Sequence, residues 1–148
     1  HISDDALKVA DYNKKYNNAD YIKLIKSDMF SSSECEQYKN EDNRFDVIVS
    51  NPPYIPTKDI DELSEEVRLH DPVLALDGDT DGLKFYKAIT KQSVNYLKEN
   101  GYLCYEIGYN QAEDVRNIME QCGYSGIKVI KDLAGLDRVV IGRLNNIN

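Results

Sequence analysis

Apolar residues recur along this chain in two patterns, short strand-like runs and longer helical ones. Strands are predicted at residues 21–26, 45–50, 102–107, 127–130 and 139–141. The last two are close enough in sequence to pair antiparallel. Because helical patterns separate most of the strands, the sequence predicts an α/β fold with a mainly parallel sheet and helices on both faces.

Helical periodicity and capping residues predict three helices. They run from Ser3 to Tyr16, from Leu83 to a stop at Asn100–Gly101, and from Gln111 to Cys122. The second helix has an apolar face made by Tyr86, Ile89, Ser93 and Leu97. Residues 31–43 are polar and follow neither period, which predicts a surface loop. Residues 51–82 hold all 4 prolines, and so long a connection in a compact domain is usually functional.

Length, net charge and cysteine spacing limit the classes of protein to which the chain can belong. A length of 148 residues suits one domain. The net charge of −8 argues against a broad nucleic-acid surface, which needs clustered Lys and Arg. The 3 cysteines lack paired spacing and are expected to be reduced. No long apolar segment occurs, so a soluble, cytoplasmic protein without membrane contact is expected.

The tetrapeptide Asn51-Pro52-Pro53-Tyr54 follows the predicted strand 45–50 directly, at the edge where open α/β sheets bind ligands. The prolines fix two φ angles and carry no N–H, which leaves carbonyl oxygens free to accept. The Asn51 amide and the Pro52 carbonyl therefore suit an NH2 group, and Tyr54 offers a surface for stacking. This pattern is typical of a site that holds a planar nitrogen, with a proline-rich turn as the structural alternative.

Several further motifs accompany the tetrapeptide. They are Ile2-Ser3 with Ala6-Leu7, Ser27-Asp28-Met29-Phe30, residues 46–56, His70-Asp71-Pro72, residues 75–78, Asp81-Gly82-Leu83, Glu106-Ile107-Gly108, Gln111 and residues 132–138. Together they resemble the release-factor glutamine methyltransferases, the HemK/PrmC family of class I S-adenosylmethionine enzymes. The tetrapeptide alone is shared with enzymes that methylate amino groups of DNA and RNA, so the later motifs select the glutamine branch.

This resemblance implies a fold and a reaction. The fold is a class I S-adenosylmethionine-dependent methyltransferase (Rossmann-like) domain, truncated at its N-terminal side, with a mixed sheet that ends in an antiparallel strand pair. The reaction is methyl transfer from S-adenosyl-L-methionine to the glutamine nitrogen in the Gly-Gly-Gln loop of class 1 peptide chain release factors. No metal and no direct nucleic-acid partner are expected.

The resemblance also implies roles for five residues. Asn51 and Pro52 would be catalytic acceptors, Tyr54 would stack on the amide, and Pro53 would complete the substrate-binding tetrapeptide. Asp28 matches the position that contacts the adenine amino group, and Asn51 would border the cofactor as well.

For four polar residues in the motifs, a structural role is considered beside a functional one. Glu106 closes a strand, where it either lines the pocket or is simply solvated. His70 is expected to stabilise a turn. Asp137 and Arg138 are expected to pair within the final turn rather than to meet substrate.

The chain departs from the family pattern in three ways. Asp79 stands where a second Gly is common, and Leu136 stands where Arg is usual. The glycine-rich cofactor loop and its acidic ribose-binding partner, expected upstream in the family, are absent, and His1 stands where the ribose-binding Asp is expected. Residues 1–148 are therefore interpreted as a single partial methyltransferase domain without its first two strands and N-terminal helical domain, and this truncated chain is expected to be inactive and to bind cofactor weakly.

Truncation would leave two strand edges without a neighbouring strand to pair with. The resemblance implies the strand order 3-2-1-4-5-7-6, in which strands 21–26 and 45–50 would lose neighbours. We expect these two strands to pair with each other, the first helix to shift, or a second copy to form a dimer through a strand edge.

Two other functions stay open from the sequence. One is methylation of an exocyclic amine of a nucleic acid, which the tetrapeptide suits equally well. The other is a non-catalytic fragment or binding module.

Overall fold

The computed structural model describes residues 1–63 and 72–145. The chain divides into two compact units, residues 1–44 and residues 45–148. The predicted turn at His70 and Asp71 lies outside the described residues. Within the described ranges, no helix is both long enough and apolar enough to cross a membrane.

The first unit contains helix α1, Asp4–Tyr16, as predicted. The Ser3 side chain caps it by accepting a hydrogen bond from the Ala6 N–H at 3.2 Å. The loop expected at residues 31–43 instead holds two 3₁₀ helices, Ser33–Lys39 and Glu41–Asn43. Such short helices follow a three-residue repeat, so neither the α nor the β period reveals them.

The strand predicted at residues 21–26 is wrong: this segment belongs to no strand. Among the described residues its backbone hydrogen bonds are isolated ones: the His1 amino group donates to the Ile25 carbonyl at 2.9 Å, and the Ile22 N–H donates to the Ala19 carbonyl at 3.0 Å. A strand is stabilised by a ladder along a neighbour. Isolated hydrogen bonds of this kind do not make a ladder.

The second unit is built on a sheet. Its strands are β1 Phe45–Ser50, β2 Leu97–Glu106, β3 Tyr124–Lys131 and β4 Asp137–Leu144. They lie in the order β1-β2-β4-β3, with β1 and β2 parallel and the other pairings antiparallel. This order reproduces the 4-5-7-6 part of the predicted class I order. The mixed sheet is confirmed, whereas a mainly parallel sheet is wrong for this unit, because β4 inserts between β2 and β3.

The second unit also contains helices. They are α2 Val73–Leu76, α3 Lys84–Ser93 and α4 Ala112–Gln121, and a 3₁₀ helix spans Thr57–Glu62. α3 contacts β2 and α4, while α4 contacts β3 and β4. Both packed helices therefore lie on the same face within this unit, rather than on both faces as expected.

The core under these helices includes buried tyrosines. Tyr86 of α3 packs edge-on against Tyr105 of β2 with ring centroids 5.1 Å apart. The Thr90 and Tyr105 hydroxyls are 2.8 Å apart, and the Ser93 and Tyr124 hydroxyls are 2.7 Å apart. Burial raises the pKa of Tyr124 to about 12, so its hydroxyl stays neutral. Each of these four buried hydroxyls thus has a partner, as an apolar surrounding requires.

The second helix is shorter than predicted and the following strand is longer. α3 ends at Ser93, and the Tyr96 carbonyl then accepts the Phe45 N–H at 2.8 Å, which starts the pairing with β1. Asn100 has a φ of 64°, so the predicted stop at Asn100–Gly101 is an irregularity inside β2. Leu97 is buried as the helical period indicated, but it lies in a strand.

Candidate functional site

The tetrapeptide Asn51–Tyr54 leaves the sheet at the carboxyl end of β1. Ser50, the last residue of β1, is opposite Tyr105, and β2 ends one residue later at Glu106. Parallel strands place their carboxyl ends at the same edge, so the tetrapeptide emerges beside the end of β2. The sequence therefore predicted the location of this segment correctly.

Asn51 and Pro52, the two predicted acceptors, differ in exposure. Asn51 is exposed, whereas Pro52 is buried. Among residues 1–63 and 72–145, neither the Asn51 amide nor the Pro52 carbonyl oxygen has a hydrogen-bond partner. Acceptance of two N–H groups from a planar NH2 group by this pair stays a prediction.

Tyr54, in contrast, is held firmly through its backbone. Its carbonyl oxygen accepts a hydrogen bond from Gln111 Nε2 at 2.9 Å. The next residue, Ile55, forms a parallel bridge with Asp77. In that bridge the Ile55 N–H donates to the Leu76 carbonyl at 3.0 Å and the Gly78 N–H donates to the Ile55 carbonyl at 2.8 Å. The end of the tetrapeptide is thus fixed against the far end of the 51–82 connection.

Three glycines allow this close approach. A Cβ at Gly78 would lie 2.9 Å from Tyr54 Cα, and one at Gly108 would lie 2.9 Å from Gln111 Oε1. A Cβ at Gly82 would collide with the Tyr54 carbonyl oxygen, and its φ of 71° is itself unfavourable for other residues. The motifs 75–78, 81–83 and 106–108 therefore meet around the Tyr54 backbone.

A buried hydroxyl links α3 to the end of β2. Tyr86 OH donates to the Glu106 carbonyl oxygen at 3.0 Å and lies 3.5 Å from Gln111 Oε1. Burial raises the pKa of Tyr86 far above its usual value, with smaller contributions from Tyr54, Tyr105 and Glu106. The hydroxyl is therefore a neutral hydrogen-bond donor at any physiological pH.

The motif at 132–138 supports the same edge from β4. Arg138 Nη2 pairs with Asp132 Oδ2 at 3.2 Å, and Arg138 Nη1 donates to the Ile107 carbonyl at 3.2 Å. Asp137 pairs with Lys131 at 2.7 Å. Both charges thus pair near the hairpin turn as expected, but with separate partners and not with each other.

Asp79 has a backbone conformation that suits Gly, the residue expected at its position from the resemblance. Its φ is 73°, in the left-handed region that Asp tolerates better than most residues. Its carboxylate pairs with Lys84 at 2.9 Å and accepts hydrogen bonds from Thr80. The Lys84 ammonium and the Thr80 donors hold the pKa of Asp79 to about 2.

Asp28 lies in the first unit. Its side chain is exposed, and its backbone carbonyl accepts the Ser31 N–H at 3.0 Å. Its carboxylate has no hydrogen-bond partner among the described residues. Its assignment to the adenine amino group stays a prediction, as do the roles of Asn51, Pro52, Pro53 and Tyr54.

Gln111 and Tyr86 were recognised in the sequence only as a motif residue and a core residue. Their contacts with Tyr54 and Glu106 join segments that lie far apart in the chain, so spacing gave no sign of them. The available signal was a polar Gln directly before the apolar face of α4.

Cys35, Cys104 and Cys122 are free, as expected.

Strand order, the antiparallel closing pair and the tetrapeptide at the sheet edge define the class: this is a class I methyltransferase fold. A solved structure of the E. cuniculi Mtq2–Trm112 complex, responsible for the methylation of the eRF1 translation termination factor, shares the fold. It has a TM-score of 0.50 and 23% identity, over 82% of this chain and 61% of that chain.

A family model described as Eco57I restriction-modification methylase matches residues 2–118, and the chain belongs to this methylase family. The predicted resemblance to release factor glutamine methyltransferases is also confirmed. The protein of that name from Fusobacterium nucleatum is 40% identical over 96% of this chain, and the one from Clostridium botulinum is 43% identical over 87%. The chain spans 38% and 44% of the lengths of these two relatives, so less than half of each.

Proposed function

We propose that the protein containing this chain transfers a methyl group from S-adenosyl-L-methionine to the side-chain nitrogen of the glutamine in the Gly-Gly-Gln loop of class 1 peptide chain release factors, in the cytoplasm. The observation that carries the proposal is the acceptor pair of Asn51 and Pro52 at the carboxyl edge of the sheet, which has no hydrogen-bond partner among residues 1–63 and 72–145. The names of the relatives, at about 40% identity over most of this chain, support the choice of substrate.

The proposed role of the tetrapeptide follows from the chemistry of an amide. An amide nitrogen is a weak nucleophile because its lone pair is delocalised into the carbonyl group. When Asn51 Oδ1 and the Pro52 carbonyl each accept one N–H, the nitrogen is oriented and its electron density rises. Tyr54, half-buried and fixed through its backbone, offers its ring to the amide plane. As the N–CH3 bond forms, the S–CH3 bond of the sulfonium breaks with its electron pair going to sulfur, and the surplus proton on nitrogen can leave to solvent afterwards, so no general base is assigned.

Asp28 and Asn51 each have chemistry that suits contact with the cofactor. The Asp28 carboxylate is exposed and has no partner among the described residues, which suits an exocyclic NH2 group such as that of adenine. Asn51 would border the reacting group. When bound, S-adenosylmethionine supplies an electrophilic methyl group on a sulfonium sulfur.

The test uses the full-length gene product, a purified class 1 release factor and S-adenosylmethionine with an isotopically labelled methyl group. Mass spectrometry of the peptide that contains the Gly-Gly-Gln loop should show one added methyl group on the glutamine. A release factor with Glu in place of that Gln lacks the NH2 group and should gain no label. Absence of label from the unaltered release factor contradicts the proposal.

A second candidate is methylation of an exocyclic amino group in a nucleic acid. The description of the matching family model, a restriction-modification methylase, favours it. The net charge of −8 argues against it, because binding to phosphates needs clustered positive charge. Parallel reactions with duplex DNA and with RNA distinguish the two functions. Label in neither polymer nor protein would support a non-catalytic binding module.

A further inference from the structure

Gln111 lies where three segments of the second unit meet. Its Nε2 donates to the Tyr54 carbonyl oxygen at 2.9 Å and is 3.4 Å from the Gly82 carbonyl oxygen. Its Oε1 accepts the Gly108 N–H at 3.0 Å. The residue is only 7% exposed. One buried amide therefore joins the exit of β1, the turn before α3 and the turn after β2.

The backbone groups around this side chain require an amide. Gly108 presents a donor, whereas Tyr54 and Gly82 present acceptors. Gln satisfies both kinds at once, and this pairing fixes which end of the amide carries the nitrogen. An ionised Glu would direct lone pairs at the Tyr54 carbonyl oxygen, and an apolar residue would leave buried polar groups unpaired.

We propose that Gln111 is a positioning residue for methyl transfer: it fixes the Tyr54 backbone and thereby orients the Asn51–Pro52 acceptor pair. This inference rests on the proposed function. The two prolines between Asn51 and Tyr54 have fixed φ angles, so a displacement at Tyr54 is passed to Asn51 rather than absorbed. Gln111 acts through the tetrapeptide, because its own polar atoms are occupied by backbone groups.

The first experiment compares Gln111→Ala and Gln111→Glu with the wild-type full-length protein, and uses Gln121→Ala as a matched control. Gln121 is exposed at the other end of α4. For folded enzyme, we expect kcat for release factor to fall by roughly 10- to 100-fold in Gln111→Ala, with little change in affinity for S-adenosylhomocysteine. Gln121→Ala should match the wild type.

The Gln111→Glu variant gives a readout that depends on the hydrogen bond itself. Burial and the facing carbonyl oxygens raise the pKa of a carboxyl group at this position. Within the described residues, Tyr86 and Tyr54 contact Gln111, while Glu106 interacts electrostatically with Tyr86 and Arg138 interacts with Tyr54. Once protonated, the carboxyl can donate to the Tyr54 carbonyl, so the ratio of variant to wild-type kcat should rise as the pH falls. A ratio that does not change with pH overturns the proposal.

A second measurement needs no substrate. In isotope-labelled protein, the NMR signals of the Asn51 side-chain amide should shift or broaden in Gln111→Ala and stay unchanged in Gln121→Ala. Unchanged Asn51 signals in a folded Gln111→Ala variant overturn the inference whatever the enzyme methylates. If the wild type fails to methylate release factor while the Asn51 signals shift, the proposed substrate is wrong but the positioning role is supported.

Discussion

The Tyr86 hydroxyl donates a hydrogen bond to the Glu106 carbonyl oxygen at 3.0 Å, and Tyr86 is fully buried. This bond joins the first turn of α3 to the last residue of β2. It lies behind the edge from which Asn51 emerges, so it supports the site from the side of the core. The Glu106 side chain itself is only half-buried.

Tyr86→Phe tests how much this hydrogen bond contributes to the stability of the fold. The ring stays in place and keeps its edge-on contact with Tyr105, but a partly buried carbonyl loses its donor. We expect a loss of about 1–2 kcal/mol in the free energy of unfolding, measured by chemical denaturation. Tyr109→Phe is the control, because Tyr109 is 62% exposed and its change should be close to zero. Equal effects of the two substitutions contradict this account.

Gly82→Ala should be among the most damaging substitutions near the site. The new Cβ would collide with the Tyr54 carbonyl oxygen and would lie 2.8 Å from Gln111 Nε2. Gly126→Ala is the matched control, because Gly126 also has a positive φ, 59°, yet a Cβ there has open space. The control should lose about 1–2 kcal/mol from backbone strain alone. Gly82→Ala should lose clearly more free energy of unfolding by the same denaturation measurement. A similar loss in both variants would show that the Tyr54 backbone can move to accommodate the new Cβ.

Local signals explain which parts of this fold were predictable. α1, β1 and α4 were predicted almost to the residue, since caps and periodicity act within a few positions. The segment 21–26 has strand composition but no ladder, and pairing depends on residues elsewhere in the chain. The same limit applies to the site. Asn51–Tyr54 was visible as a motif, whereas the Gln111 contacts exist only after distant backbone groups have come together.

Asp79 gives a prediction for acid conditions. Its pKa of about 2 lies below the ordinary value near 3.9, because Lys84 and Thr80 stabilise the charged form. A lowered folded-state pKa contributes stability above pH ~4, and that contribution is lost as the pH falls toward 2. Asp79→Asn should therefore flatten the decline of unfolding stability with pH across this window. A decline as steep as that of the wild type would show that the Lys84 pair is irrelevant to folding.

Tyr54 variants separate stacking from hydrogen bonding. The backbone of Tyr54 is fixed by Gln111 and by the Gly82 turn. Substitutions of the Tyr54 side chain should therefore leave the position of its Cα atom largely unchanged. If the ring stacks on the substrate amide, Tyr54→Phe should have little effect in the full-length enzyme. Tyr54→Ala should chiefly raise KM for the release factor in steady-state kinetics. Equal losses in both variants would assign the role to the hydroxyl instead.

Asn51→Ala addresses the reacting nitrogen directly. Asn51 is exposed and has no partner among the described residues, so its removal should cost the folded protein little. Its amide acts on the nucleophile, and we therefore expect turnover to fall on the order of 100-fold or more, as for the loss of one preorganised polar contact. Calorimetry with S-adenosylhomocysteine should show nearly unchanged affinity, because the Asn51 contribution appears mainly in the transition state.

Asn51→Asp keeps an acceptor but adds charge, so it should retain more activity than Asn51→Ala if acceptance of an N–H is the role. Wild-type turnover in Asn51→Ala would remove the tetrapeptide from the mechanism.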